Sequence, residues 1–143
     1  NLRVLESTRK DQPEVGFGVV GTLPQPEQTL DFLARMKRTL NVGAVRYSRI
    51  NTPTIERVAL CTGAGASLMG EARRSGAQLY IAADFKYNNF LDADRDLIIA
   101  DIGHFESEYC AIQILFDILS KNLCIFAVRK SVCSRNPVNY MTR

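Results

Sequence analysis

The sequence predicts an α/β protein built on a mixed, largely parallel sheet flanked by helices. Three observations carry that expectation. Short apolar runs at 58–61, 79–83 and 97–100 each read as a strand buried on both faces. Each run stops at a polar or glycine-rich turn, at 63–67, 84–88 and 101–108. Segments of helical character follow these turns, so the chain alternates strand, turn and helix. If the strands run parallel, with the helices as crossovers, the three turns fall along one edge of the sheet and share one cleft. With 143 residues, 46% of them hydrophobic, the chain can bury one sizeable core, and a single α/β domain is expected over 16–143.

Residues 1–15 are polar and mixed, without a sustained period, and read as a lead-in or the remnant of an upstream element. Gly16-Phe-Gly18-Val-Val-Gly21 matches GxGxxG, but a dinucleotide loop needs a helix opening directly from the glycines. Thr22-Leu-Pro24-Gln-Pro26 intervenes, and its two prolines keep the stretch extended. The glycines are therefore expected to form a turn in which backbones approach closely. Residues 26–40 read as a core-packing helix with Leu30, Leu33, Met36 and Leu40 in its stripe. Glu27 and Asp31 come early in it and Arg35, Lys37 and Arg38 late, which complements the macrodipole. A strand at 44–48 and a loop through 51–53 follow. Next come a strand at 56–61, the glycine-rich turn, and a helix through Arg74 that stops at Ser75-Gly76. The strand at 79–84 leads to a short helix or turn at 88–94, and the strand at 97–101 to a helix over 105–121. In that helix Phe105, Tyr109, Ile112, Phe116 and Leu119 mark an apolar face, and Glu106, Gln113, Asp117 and Lys121 a wet one. A last strand is expected at 125–129, then an irregular tail.

Charge and cysteine usage narrow the function classes. The net charge of +3 comes from residues 1–57, where nine Lys/Arg face six Asp/Glu; the remainder carries nine of each. No basic block or aromatic-interleaved basic stripe results, which disfavours nucleic acid as a partner. No apolar run approaches the roughly 20 residues of a membrane span, and no signal peptide is visible. Cys61, Cys110, Cys124 and Cys133 are spread singly without a CxxC pair. They read as reduced thiols of a cytoplasmic protein, although an even count would also permit two disulfides. The first residue is Asn1, not Met, as expected of an excised or processed piece.

The chemistry concentrates at 97–108. An apolar run is broken by Gly103, and the only histidine of the chain, His104, follows where a strand end meets a helix start. Glu108 lies one helical turn further on, so imidazole and carboxylate project from one face toward one ion. Asp101 stands just before them. A hydrolytic metal site needs three or more protein ligands and an open position, so further ligands must come from another segment or subunit. Against this stands a purely structural account, in which Glu106 and Glu108 complement the helix dipole and His104 is a hydrogen-bonded, partly buried residue. The turn at Gly63, Gly65 and Ser67 is a second candidate, with backbone N–H groups available to an anion or a substrate carbonyl. No Gly-Lys-Ser/Thr follows, so it is not a nucleotide-hydrolase phosphate loop.

Three segments together resemble the C-terminal motifs of the Nif-three-like dinuclear metal proteins, often labelled GTP cyclohydrolase type-two homologues. They are Gly63-Ala-Gly65-Ala-Ser67, Tyr80-Ile-Ala-Ala-Asp84-Phe-Lys86-Tyr87 and Ala100-Asp101-Ile-Gly103-His104-Phe-Glu106-Ser107-Glu108. The resemblance runs from near Gly16 to the closing Asn136-Pro137-Val138-Asn-Tyr140. It implies one of two pseudo-symmetric α/β halves, a ring-shaped hexamer, and a site for two divalent ions such as zinc, manganese or iron at the junction of the halves. His104 and Glu108 carry over as the last two ligands. Asp84, Lys86 and Asp101 become candidates for orienting ligands or recognising substrate charge, and the backbone at 63–67 for contacting an anionic group. The paired histidines and the Asp that the family draws from its N-terminal half have no counterpart here, so the chain is expected to be inactive alone. Residues 1–15 would be the exit strand of a small inserted domain. Asn88 stands where the family often has histidine. The implied activity is metal-dependent hydrolysis of an unidentified small molecule. The rival class is a non-enzymatic oligomeric scaffold that binds a metal or a partner.

Overall fold

The computed structural model describes residues 1–141. Its centre is one six-stranded mixed sheet, in the order β1 (Leu2–Ser7), β2 (Gly16–Gln28), β4 (Thr54–Ala64), β5 (Leu79–Ala83), β6 (Ile98–Asp101) and β3 (Arg46–Tyr47). The β4–β5 and β5–β6 pairings are parallel; β1–β2, β2–β4 and β3–β6 are antiparallel. Parallel order thus holds for the three apolar strands that predicted it and gives way to antiparallel edges.

Helices cover both faces. α1 (Thr29–Thr39) lies on one face, where Phe32, Leu33 and Met36 pack with Ile55, Leu79, Ile81, Ile98 and Ala100. On the other face α2 (Met69–Arg74), entered through a 3₁₀ turn (Ala66–Leu68), and α3 (Tyr87–Ala93) cover Tyr80, Ala82 and Ile99. Leu79 and Ile81 go to one core and Tyr80 and Ala82 to the other because successive strand residues point to opposite faces. This two-sided burial is why the runs read as continuous apolar strings. The last helical segment is α4 (His104–Glu108), continued by α5 (Cys110–Asn122).

Several expectations are corrected. The glycine-rich stretch at 16–21 is strand, not turn: it lies in β2, which pairs with β1 on one side and β4 on the other. A side chain at Gly16 would run into the Glu6 carbonyl, so the close approach is real, but between strands. Residues 2–7 form the edge strand of this sheet, paired with β2. In α1, Leu30 and Leu40 face water, and Thr29 and Phe32 take their place in the stripe. No strand forms at 125–129: the segment finds no ladder partner, and Ile125 and Phe126 are exposed. The apolar residues of α5 do not enter a core either. Phe105, Ile112 and Phe116 are half-buried, while Ile114, Leu115, Ile118 and Leu119 are exposed.

Candidate functional site

The adjacency of β4, β5 and β6 brings their C-terminal turns together at one sheet edge. The turn after β6 passes through Gly103, whose φ of +86° suits a residue without Cβ, and opens α4 at His104. The turn after β5 places Asp84 in a left-handed conformation, φ +59°, uncommon outside glycine but tolerated by Asp. This aims its carboxylate at the imidazole: His104 Nδ1 lies 2.6 Å from Asp84 Oδ2. A carboxylate only accepts, so Nδ1 carries the proton and Nε2 is the outward-facing atom. Nε2 in turn lies 3.3 Å from Glu108 Oε2, the one-turn spacing delivering both side chains to one face.

The imidazole is thus held between two carboxylates. Its pKa is raised, chiefly by the hydrogen bond to Asp84; burial opposes this, and the charges of Glu108 and Asp84 raise it further. A neutral Nε2 would present its lone pair to the Glu108 carboxylate; a positive charge between them, proton or metal ion, removes that repulsion. All three side chains are about half exposed, at 49, 52 and 50% for His104, Asp84 and Glu108.

The glycine-bearing C-terminal end of β4 packs beneath this pair. At Gly63, φ +63°, any Cβ would meet the Glu108 carboxylate and come within 3.3 Å of His104 Cε1. The Gly63 N–H donates to Ser107 Oγ at 2.8 Å, and that hydroxyl donates to the His104 carbonyl at 2.8 Å. The Gly65 N–H is spent on the Ala83 carbonyl, and the Gly65 carbonyl accepts from the buried Tyr80 hydroxyl at 2.8 Å. The expected backbone donors at Gly63 and Gly65 are therefore engaged inside the protein and serve packing. Ser67 is exposed in the 3₁₀ turn. Lys86 is exposed at the start of α3, its N–H bonded to Asn89 Oδ1, and does not line the cleft of His104. Asn88 is exposed on the same helix. Asp101 is buried; its carboxylate accepts from Arg46 and from the Phe85 and Gly103 N–H groups.

A cleft of about 630 Å³ opens beside the pair. Phe105, Tyr109 and Ile112 of the helix give it an apolar wall, and Arg46, Glu106, Asn136 and Tyr140 give it a polar rim. The chain returns across it at 134–140, pinned where Asn136 Nδ2 donates to Glu106 Oε1 at 2.9 Å. The Tyr140 phenol is raised by burial and by the Glu106 charge. Cys61 lies near Glu108, and burial pushes its thiol up, which disfavours the thiolate a metal requires. Among the described residues no three His, Cys, Asp or Glu side chains converge closely enough to hold a metal ion.

Sequence reasoning missed Ser107, Tyr80, Arg46, Asn136 and Tyr140. Ser107 had a signal, standing one helical turn from His104 inside the same motif. The others are brought in by tertiary structure from 24 to 58 positions on either side of His104; Tyr80, Asn136 and Tyr140 stand in segments of the family resemblance that assign them no role, and no local pattern marks Arg46.

Fold and site define a class: an α/β protein whose parallel strands end in a histidine–carboxylate cluster. The chain belongs to the Duf34/NIF3 (NGG1p interacting factor 3) family, whose model matches residues 1–137. A GTP cyclohydrolase 1 type 2 homolog from Staphylococcus epidermidis is 32% identical over 111 residues, which are 77% of this chain and 30% of that protein. Its counterpart in Campylobacter jejuni is 35% identical over 106 residues, covering 73% and 42%. The chain thus spans well under half the length of these relatives. The crystal structure of Staphylococcus aureus protein SA1388 superposes with a TM-score of 0.76 at 25% identity, covering 88% of this chain and 42% of that one. A Bacillus cereus protein related to NIF3 gives 0.76 at 22%, covering 90% and 36%, and shares the fold.

Proposed function

We propose that this chain supplies one side of a dinuclear metal site, with His104 and Glu108 as ligands, in a metal-dependent hydrolase acting on a small molecule. The observation that carries the reading is the 3.3 Å gap between His104 Nε2 and Glu108 Oε2, with the other imidazole nitrogen fixed by Asp84. A carboxylate on the far nitrogen is the usual support of a metal-bound histidine: it sets the tautomer and raises ligand basicity. The donor set suits zinc, manganese or iron, and fits one nitrogen and one oxygen of a larger shell. The remaining ligands then come from the protein's own N-terminal half. Bound there, divalent ions would lower the pKa of a water molecule and polarise a substrate oxygen, which is the chemistry of hydrolysis.

This chain's residues do the rest. Asp84 keeps Nδ1 protonated and the ring oriented. Phe105, Tyr109 and Ile112 border one side of the cleft with apolar surface, and Arg46 and Asn136 offer donors at its rim. The wider reading includes a homo-oligomer, the ring-shaped hexamer of the family. It also includes a reducing cytoplasmic setting, supported by four free cysteines. Among the described residues no helix is long and apolar enough to cross a membrane.

A non-enzymatic oligomeric scaffold is the second reading, favoured by the exposed apolar residues of α5. One experiment separates them: metal content and metal-dependent turnover of the intact protein, wild type against Glu108→Gln, purified alike without chelators. A hydrolase loses metal and turnover together, and a scaffold loses metal alone. Equal metal in both proteins refutes the site.

A further inference from the structure

Asp101 ends β6 with its carboxylate almost wholly removed from water, 6% exposed. It accepts from three separate segments. The Gly103 N–H donates to Oδ1 at 3.0 Å, the Phe85 N–H to Oδ2 at 3.1 Å, and the Arg46 guanidinium to Oδ2 at 2.5 Å. Gly103 directly precedes His104, and Phe85 directly follows Asp84. We infer that Asp101 is the positioning residue of the Asp84–His104 pair: one buried carboxylate grips the backbone beside each member and sets the distance between them.

Their mutual hydrogen bond orients the ring but does not by itself fix the two turns that carry them. Both side chains are half exposed, where an ion pair is screened and contributes little by itself. The Asp84 turn also uses unfavoured backbone, φ +59°, which persists only where the surroundings fix it. A charged acceptor shared by both turns provides that restraint, since hydrogen bonds to an ionised group are about twice as strong as neutral ones. Arg46 completes the clamp. Its Nη2 also donates to the Phe85 carbonyl at 3.1 Å, and its guanidinium rests 5.4 Å from the Phe90 ring centroid. The two-residue edge strand β3, which carries Arg46, is thereby tied to the site.

Asp101→Asn in the full chain, labelled with ¹⁵N-histidine, tests this. The His104 signals are assigned by their loss in His104→Gln. In metal-free wild-type protein, held at low temperature to slow exchange of this half-exposed group, the Nδ1–H proton bonded to Asp84 gives a downfield resonance. In Asp101→Asn that resonance is lost to exchange with water, and zinc affinity falls by about 10–100-fold, the range typical of groups that orient ligands. A residue serving stability alone would lower Tm and leave the resonance in place, so its survival in folded Asp101→Asn overturns the inference. If that variant does not fold, Arg46→Met decides: broadening of the resonance supports the clamp, and an unchanged resonance overturns it. The zinc readout rests on the proposed metal site and the proton readout does not, so a protein that binds no metal still tests the clamp.

Discussion

Replacing Ser107 by alanine removes one oxygen and leaves the Gly63 N–H with no acceptor. That N–H is buried, and its 2.8 Å bond to Ser107 Oγ joins the end of β4 to the helix that carries His104 and Glu108. Stranding a buried donor costs about 1–3 kcal/mol. The bond from Ser107 to the His104 carbonyl is lost as well, but the accepting carbonyl lies nearer solvent, so the total is about 2 kcal/mol. At this chain length each kcal/mol moves Tm by roughly 4 °C, giving an expected fall of about 8 °C. The assay is thermal unfolding followed by circular dichroism, with metal content measured on the same samples. Because Gly63 packs directly against the Glu108 carboxylate, bound metal is expected to fall too. A Tm within about 2 °C of wild type, about 0.5 kcal/mol, would refute the argument that this hydroxyl ties strand to helix.

Gly63→Ala is expected to cost about 1 kcal/mol through its positive φ and, through its clash with Glu108, to reduce metal content more than it reduces Tm; elemental analysis beside calorimetry checks this. Tyr80→Phe keeps the buried ring and removes the donor to the Gly65 carbonyl, and should cost about 1–1.5 kcal/mol in chemical denaturation. The raised pKa of His104 sets a pH dependence. In metal-free protein its stabilising contribution is complete below the ordinary histidine value of about 6.5 and is lost as pH rises through the higher folded value. Tm of wild type relative to His104→Gln should therefore fall with rising pH across that window. Metal competes with the same proton, so metal affinity should rise over the window, and titration calorimetry at several pH values reads it.

Much of the site was legible because its signals are local. A short apolar run broken by glycine marks a buried strand end, and four residues mark one helical turn; together they place His104 and Glu108 on one face. The Asp84 partnership was legible only as a candidacy, since the left-handed backbone that aims its carboxylate leaves no pattern in sequence. Long-range pairing hid the rest. The glycines at 16–21 looked like a turn because nothing local shows that β1 and β4 flank them. The α5 stripe has correct helical spacing, but periodicity does not say what covers a face, and among the described residues little does. The 125–129 segment has strand composition without a strand to pair with. Arg46, Asn136 and Tyr140 reach the cleft from far along the chain.

The gradient of burial across the sheet bears on which motions the site can survive. All five residues of β5 and all four of β6 are buried, whereas the outer strand β1 and helix α5 are mostly exposed. Amide hydrogens should therefore exchange slowest in β5 and β6 and fastest at the periphery, with local opening confined to the hairpin and the terminal helix. Asp84 and His104 are attached to the two slowest-exchanging segments by one and three residues respectively. The periphery can fray and re-form many times while these two side chains keep their spacing, leaving the part of α5 beyond Ile112 free to reorganise against another surface without disturbing the cleft wall.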